Sequence, residues 1–191
     1  MHDPAEDATT EAILDAALRE FGTRGFRGTS LSRVAANAGV SRPTLYARYA
    51  DKAALFRAVV QSGFDAALAG VEAAAASKGP VEEELRAILE AYFGHLFDRY
   101  HGLPEIDELS RRQLDEAQDL VDAARARFKS LVSRWVRARR ASARGNASLP
   151  AAQAVDLICL SPYALKDGST SRVLYHKRLA ALAQSVAAQL R

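Results

Sequence analysis

The chain has 191 residues, 49% of them hydrophobic, and a formal net charge of +3. Such a length can bury a sizeable core in one or two domains, and the alanine-rich sequence lacks the alternating β-branched runs typical of strands, so an all-α fold is predicted. The single cysteine, Cys159, excludes an intramolecular disulfide framework and a multi-cysteine zinc site. No charged segment precedes an apolar run at the N-terminus, and the sequence has no uninterrupted run of about eighteen apolar residues. We therefore expect a soluble, cytoplasmic protein.

Residues 29–52 have the spacing of two short helices joined by a tight turn. Apolar residues recur on one helical face before and after Gly39, which supplies a left-handed turn, and Ala35 is small where two helices must cross closely. Ser41 is the expected N-cap of the second helix, and Pro43 in its first turn gives up only an N–H that has no helical partner. The pattern indicates a helix-turn-helix.

The exposed side chains of the second helix suit a nucleic acid. The Arg42 guanidinium can read a guanine edge, Pro43 and Ala47 offer apolar contacts to a base methyl group, and Tyr46 can stack along the backbone or donate to a phosphate. Basic residues concentrate on this segment, while acidic residues precede it. The second helix is therefore predicted to enter a DNA groove.

Residues of the first third of the chain follow one specific pattern. They are Ile13, Ala16, Ala17, Phe21, Gly25, Phe26, Thr29, Ser30, Val34, Ala35, Ala38, Gly39, Val40, Ser41, Thr44, Leu45, Tyr46, Tyr49, Lys52, Leu55 and Phe56. In this pattern the segment resembles the DNA-binding domain of the TetR family of bacterial transcriptional regulators. Tyr49 stands where phenylalanine is more usual and is still expected to pack in the core. The rest of the chain has only a general likeness to the family.

The resemblance implies a two-part architecture and a set of partners. An N-terminal three-helix helix-turn-helix DNA-binding domain would span residues 1–54, and a C-terminal helical ligand-binding and dimerisation bundle would span residues 55–191. The last two long helices would pair in a homodimer, which sets two recognition helices about 34–36 Å apart. The implied function is a repressor released from double-stranded DNA when a small-molecule effector binds. By family position and chemistry, the DNA-binding set is Ser30, Ser32, Arg33, Ser41, Arg42, Pro43, Thr44, Tyr46, Ala47, Arg48 and Lys52.

Beyond Lys52 the apolar residues recur over longer stretches, as expected of a helical bundle. The segment 74–80, AAASKGP, is the clearest break between helices. A helix from Ala151 to Leu160 is expected to end or kink at Pro162, and Ser169 or Thr170 is expected to cap the final helix.

Aromatic residues at helical spacing in the middle of the chain are candidates for an effector pocket. Ordinary core packing explains the same spacing. Trp135 and Tyr92 are favoured because each has a polar group that needs a partner when buried. The predicted pocket residues are Tyr92, Phe93, Leu96, Phe97, Phe128, Trp135 and Tyr163.

Neither a metal site nor a catalytic site is predicted. His95, Asp98 and His101 recur at intervals of three, but no ligand on a second helix is identifiable, and His176 is isolated in the sequence. No nucleophile elbow or glycine-rich phosphate loop occurs, so we expect neither an enzyme nor a cofactor. The alternative function is a DNA-binding regulator controlled by a protein partner, which would keep an exposed apolar patch after dimerisation. The residues do not determine whether binding represses or activates.

Overall fold

The computed structural model of the chain describes residues 4–101, 116–142 and 148–190. Every regular element in these ranges is helical, which confirms the predicted all-α fold. The helices are α1 Pro4–Gly28, α2 Leu31–Asn37, α3 Arg42–Arg48, α4 Lys52–Ala76, α5 Val81–Leu89, a π-helical turn Glu90–Gly94, α6 His95–Tyr100, α7 Gln118–Ser142, α8 Ala151–Asp167 and α9 Arg172–Gln189.

The chain forms two compact units. The first comprises Met1–Gly63 with Gly102–Val121, and the second comprises Phe64–His101 with Asp122–Arg191. These units are defined by how compactly the chain packs. They do not test the predicted boundary between a DNA-binding and a ligand-binding domain at residues 54 and 55, which stays a prediction.

The core of the first unit is built around three stacked and edge-on phenylalanine rings. Phe21 meets Phe56 edge-on at 5.2 Å between ring centroids, and Phe26 meets Phe56 in the same way at 5.5 Å. Val34 and Leu45, both fully buried, bring α2 and α3 onto this core. Each such side chain contributes about 1.5–3 kcal/mol by leaving water. The helix-turn-helix is thus held by burial of its inner face, which leaves its outer face available.

The core of the second unit contains a buried carboxylate, Glu84, which is 2% exposed. Its oxygens accept hydrogen bonds from Trp135 Nε1 at 3.0 Å and from the Gly79 amide at 2.8 Å, and the Arg139 guanidinium pairs with it. A buried charge without such partners would be strongly destabilising. Glu84 therefore fastens the start of α5 to α7.

A π-helical turn at Glu90–Gly94 separates α5 from α6 and was not predicted from the sequence. A Cβ at Gly94 would collide with the Glu90 carboxylate and lie 3.1 Å from the His176 ring, so the missing side chain lets these groups approach. His176 Nδ1 pairs with Glu90, and its Nε2 lies 3.0 Å from Asp98 Oδ1. The expectation that His176 is isolated is wrong, because the fold places it between two carboxylates from other elements.

Two expectations for the C-terminal helices are also corrected. The predicted end of α8 at Pro162 is wrong, because the helix runs through to Asp167: a single proline removes one backbone hydrogen bond while the helical bonds on either side remain. The Pro162 carbonyl accepts a hydrogen bond from the buried Tyr175 hydroxyl at 3.2 Å. The N-cap of α9 is Ser171, whose hydroxyl accepts from the Leu174 amide at 3.2 Å, rather than Ser169 or Thr170.

Helix α4 has the length and composition of a possible membrane span, with a mean hydropathy of 1.2 over its most apolar stretch. Its fully buried residues include Leu55 in the core of the first unit and Ala67 and Val71 in the core of the second. Such burial is typical of a core helix, and packing in the two cores accounts for the apolar composition of α4.

Candidate DNA interface and effector site

The turn between α2 and α3 has the geometry predicted for a helix-turn-helix. Gly39 adopts a positive φ of 69°, and its amide donates to the Ala36 carbonyl at 3.2 Å. The Val40 amide donates to the Ala35 carbonyl at 3.0 Å. These bonds satisfy the carbonyls at the end of α2 and fix the direction in which α3 leaves.

The start of α3 is capped as expected. Ser41 Oγ accepts a hydrogen bond from the Thr44 amide at 3.1 Å, and the two hydroxyl oxygens are 2.7 Å apart. Pro43 lies in the first turn, where it costs no helical hydrogen bond. The cap holds the N-terminal end of α3, on which the proposed base-contacting side chains lie.

The outer face of α3 presents Arg42, Pro43, Tyr46 and Ala47 to solvent, and Tyr46 is 43% exposed. On the opposite face, Leu45 is fully buried and anchors the helix. Arg42 forms no hydrogen bond or ion pair with any residue in the described ranges. Its guanidinium is therefore available to a ligand outside the chain.

Arg33, by contrast, is engaged within the first unit. Its Nε lies 3.0 Å from Glu20 Oε2, and its terminal nitrogen donates to the Gly28 carbonyl at 2.6 Å. The Glu20 carboxylate, 8% exposed, also accepts from the Asn37 side chain at 3.3 Å. Arg33 thus braces α2 against α1, and its predicted phosphate contact stays a prediction.

Arg48 at the end of α3 is also tied to α1. Its NH1 donates to Glu6 at 3.3 Å and to the Thr10 hydroxyl at 3.2 Å. Ser30 and Ser32, at the start of α2, are half-buried, and the Ser30 side chain makes no capping hydrogen bond. The Ser30 hydroxyl therefore keeps the hydrogen-bonding capacity that a phosphate contact requires.

Lys52, at the start of α4, closes the end of α1. Its ammonium donates to the carbonyls of Arg27 at 3.2 Å and Thr29 at 3.3 Å, and it lies 4.9 Å from the centre of the Phe26 ring. Cations are favourable at the carbonyl end of a helix. The sequence did not predict this intramolecular role.

Four of the predicted pocket residues form one aromatic cluster in the second unit. Tyr92 stacks on Phe128 at 4.2 Å, and Phe93 meets both Phe128 and Tyr163 edge-on at 5.2 and 5.3 Å. Phe64, which was not predicted, joins the cluster at 6.3 Å from Tyr92. The sequence analysis named four of these rings as pocket candidates, but only the fold shows that three helices and the π turn bring them together.

The hydroxyl of Tyr92 is buried and has no hydrogen-bond partner among the residues that the structure describes. Burial, followed by the neighbouring Tyr163, raises the pKa of Tyr92 well above its usual value. The hydroxyl therefore stays protonated and can donate to an acceptor on a bound molecule. An unpaired buried hydroxyl costs about 1–3 kcal/mol, so a bound acceptor would offset this cost.

The remaining predicted pocket residues have other contacts. Phe97 stacks on His101 at 4.5 Å between ring centroids and packs against the tilted ring of Tyr175 at 4.4 Å. Leu96 packs half-buried against the core. Trp135, which donates to Glu84, instead lines an open cleft of about 860 Å³ that none of the other six residues lines.

The residues considered for metal binding do not converge. Asp98 pairs with Arg172 Nε at 2.8 Å as well as with His176, while His101 stacks on Phe97. Within the described ranges, no group of three or more His, Cys, Asp or Glu residues can hold a metal ion. Burial raises the pKa of the Cys159 thiol to about 11, so it is protonated at neutral pH and is a weak nucleophile.

An all-helical fold with a capped helix-turn-helix near the N-terminus defines a protein of the helix-turn-helix class. The family model described as "Bacterial regulatory proteins, tetR family" matches residues 13–59. Over these residues the chain matches the TetR family.

Two curated relatives are helix-turn-helix transcriptional regulators, and one solved structure shares the fold. The transcriptional activator FasR of Mycolicibacterium smegmatis is 36% identical over 81 residues, which are 42% of this chain and 37% of that protein. The transcriptional repressor LfrR of the same organism is 34% identical over 87 residues, 46% of this chain and 45% of that protein. The matched segment thus spans less than half the length of either curated relative. The regulator FadR from Bacillus subtilis, solved in complex with stearoyl-CoA, has a TM-score of 0.65 to this chain at 20% sequence identity. The match covers 94% of this chain and 96% of that one and shows a shared fold.

Proposed function

We propose that this chain is a sequence-specific DNA-binding transcriptional regulator that leaves its operator when a small molecule binds the second unit. The observation that carries the proposal is the outer face of α3, where Arg42 is exposed and has no partner among the described residues while Leu45 holds the helix in place. A free guanidinium at the leading end of a capped helix is suited to a guanine edge.

The remaining candidate residues divide into base and backbone contacts. Pro43 and Ala47 would meet a thymine methyl group, and each well-placed base contact discriminates by about 1–3 kcal/mol. The hydroxyl and cationic side chains would position the protein on the phosphates without reading sequence. These backbone contacts are Ser30, Ser32, Arg33, Ser41, Thr44, Tyr46, Arg48 and Lys52.

Repression and effector release extend the proposal. Occupancy of an operator that overlaps a promoter is enough to block transcription, so repression requires no further contact. The aromatic cluster around Tyr92 supports an apolar effector with a hydrogen-bond acceptor. FadR, which shares the fold, was solved in complex with stearoyl-CoA, and this supports a small-molecule effector with an apolar chain. The protein would act in the bacterial cytoplasm, where its DNA lies.

A homodimer is part of the same proposal. Large apolar side chains are exposed on α8 and α9, with Leu160 at 64% and Val173 at 65%, accompanied by Leu157 and Tyr163 at 38% each. A second copy would cover them and duplicate the groove contacts on two half-sites about one DNA turn apart. If these residues stayed exposed in the dimer, the same observation would favour control by a protein partner instead.

Selection from a randomised DNA pool, followed by fluorescence anisotropy at two salt concentrations, tests the proposal. We expect the parent to enrich one sequence and to lose affinity steeply with salt. Arg42→Ala should relax preference at one base position and weaken binding by about 1–3 kcal/mol.

Arg19→Ala is the matched control for Arg42→Ala, because it removes the same exposed charge from α1. It should change affinity for all sequences alike or leave it unchanged. Enrichment of no sequence by the parent would contradict the function, and unaltered selectivity of Arg42→Ala would contradict the assignment of Arg42 to base contact.

A further inference from the structure

An open cleft of about 860 Å³ lies in the second unit, between the end of α4, the segment that leads to α5, and α7. Its lining combines apolar and charged side chains, among them Glu72, Ala75, Lys78, Leu131, Arg134 and Trp135. The aromatic cluster around Tyr92 does not line it, so it is a separate site from the effector pocket proposed above.

The charges that remain available in the cleft are positive. Lys78 and Arg134 are exposed and form no hydrogen bond or ion pair with other described residues. Glu72, which carries the opposite charge, is neutralised by Arg127 at 2.8 Å. Arg139 is held by the buried Glu84. An anion entering the cleft therefore meets two cations whose charges are not already compensated.

Apolar surface accompanies these cations. Its accessible part comes from Ala75, Ala76 and Ala138, while Leu131 and Trp135, only 5% and 4% exposed, form the base of the cleft. The Trp135 ring is fixed because its N–H donates to Glu84 at 3.0 Å. A site that combines a fixed apolar surface with unpaired cations favours a ligand with an apolar body and one anionic group.

We propose that this cleft binds an amphiphilic anion, with the anionic group held by Lys78 and Arg134 and the apolar body packed against the alanine side chains of the lining, above Trp135. The inference does not depend on DNA binding, because it concerns residues of the second unit alone. It therefore fails or succeeds independently of the assignment of α3 to a DNA groove.

Isothermal titration calorimetry with decanoate, below its micelle concentration, tests the inference on the full chain. Trp135 is the single tryptophan of the chain, so its fluorescence reports on the cleft without labelling. We expect saturable binding with a parallel change in tryptophan emission. Decyltrimethylammonium has the same tail and the opposite charge, and it should show no saturable binding.

Substitutions then locate the bound anion. The double variant Lys78→Ala/Arg134→Ala should weaken decanoate binding about tenfold, since it removes both charge contacts to the anionic group. Arg137→Ala removes a comparable exposed charge from α7 outside the cleft lining and should retain the parent affinity.

Three results would overturn the inference. They are the absence of saturable heat with decanoate, equal binding of the cationic amphiphile, and parent-like affinity of the double variant. Saturable heat without any change in tryptophan emission, unaffected by the double variant, would place the anion elsewhere and would equally reject the cleft.

Discussion

Cations of similar appearance in the sequence have different roles at the residue scale. Arg42 is exposed and unpartnered among the described residues, whereas Arg33 and Arg48 brace α2 and α3 against α1, and Lys52 closes the carbonyl end of α1. Each of the three braced residues contacts a group at least 13 positions away in the chain. The pattern of charges in the sequence cannot distinguish a cation proposed to contact a base from one that holds the helix-turn-helix against α1.

Two buried tyrosines should respond in opposite ways to loss of their hydroxyl. The Tyr92 hydroxyl has no partner in the described part of the chain, so Tyr92→Phe should raise the free energy of unfolding by about 1 kcal/mol. Tyr175 is equally buried, but its hydroxyl donates to the Pro162 carbonyl at 3.2 Å. Tyr175→Phe should therefore lower the free energy of unfolding by about 1 kcal/mol.

Urea denaturation of the effector-free protein measures both tyrosine variants. A loss of about 1 kcal/mol in Tyr92→Phe, equal to that in Tyr175→Phe, would show that the Tyr92 hydroxyl is already satisfied in the free protein. In that case the hydroxyl would not be available to an effector, and the aromatic cluster would be ordinary core packing.

The turn between α2 and α3 depends, at the scale of the element, on one backbone angle. Gly39 has a φ of 69°, and an added Cβ would meet no atom within 4 Å. Gly39→Ala should therefore lower the free energy of unfolding by about 1–2 kcal/mol, through left-handed backbone strain alone. Gly79→Ala is the matched control, because its Cβ also meets nothing and its φ lies outside the left-handed region.

Thermal or urea unfolding compares the two glycine variants directly. The Gly79→Ala value should stay within about 0.5 kcal/mol of the parent. If Gly39→Ala were as stable as Gly79→Ala, the positive φ at Gly39 would not require glycine, and the prediction would be wrong.

The link between α9 and the π turn should make stability depend on pH. Asp98, together with Glu90, raises the pKa of His176 above its usual value of 6.5, and Arg172 with His176 lowers the pKa of Asp98. The His176 contribution is thus fully present below about pH 6.5 and is lost as pH rises through the raised pKa. The Asp98 contribution is present above its ordinary pKa and is lost as pH falls through its lowered pKa.

His176→Gln tests this link between elements. The variant should be less stable than the parent by about 1 kcal/mol or less near pH 6, because the ring is partly exposed, and the difference should disappear near pH 9. His101→Gln, which removes a histidine with no ion pair to a described residue, should differ from the parent equally at both pH values. Urea denaturation midpoints at the two pH values measure these differences. An effect of His176→Gln that is the same at both pH values would contradict a stabilising pair that depends on protonation of His176.

At the scale of the whole molecule, local features were predictable and distant pairings were not. Gly39, the Ser41 cap and the break at 74–80 follow from backbone rules that act within a few residues, and the structure has all three. The pairs of His176 with Glu90 and Asp98, and those of Glu84 with Trp135 and Arg139, join groups more than 50 positions apart. The cleft was missed because small and charged residues line much of it, whereas the sequence pattern pointed to aromatic side chains.

The proposed homodimer is the whole-molecule feature on which the proposed DNA recognition depends most. Leu160 is 64% exposed on α8, three positions after the exposed Leu157 and therefore on the same face of the helix. Leu160→Glu should leave the fold of the protomer intact, since the side chain is exposed, but it would bury an unpaired carboxylate in the proposed dimer. We expect the variant to be monomeric at micromolar concentration in light scattering and to bind operator DNA at least tenfold more weakly, because one half-site is lost.

Ala66→Glu adds the same charge at an exposed position of α4 and should remain dimeric with parent affinity. A dimeric Leu160→Glu variant that binds DNA like the parent would move the interface away from this face, and the exposed leucines would then be available to a different partner.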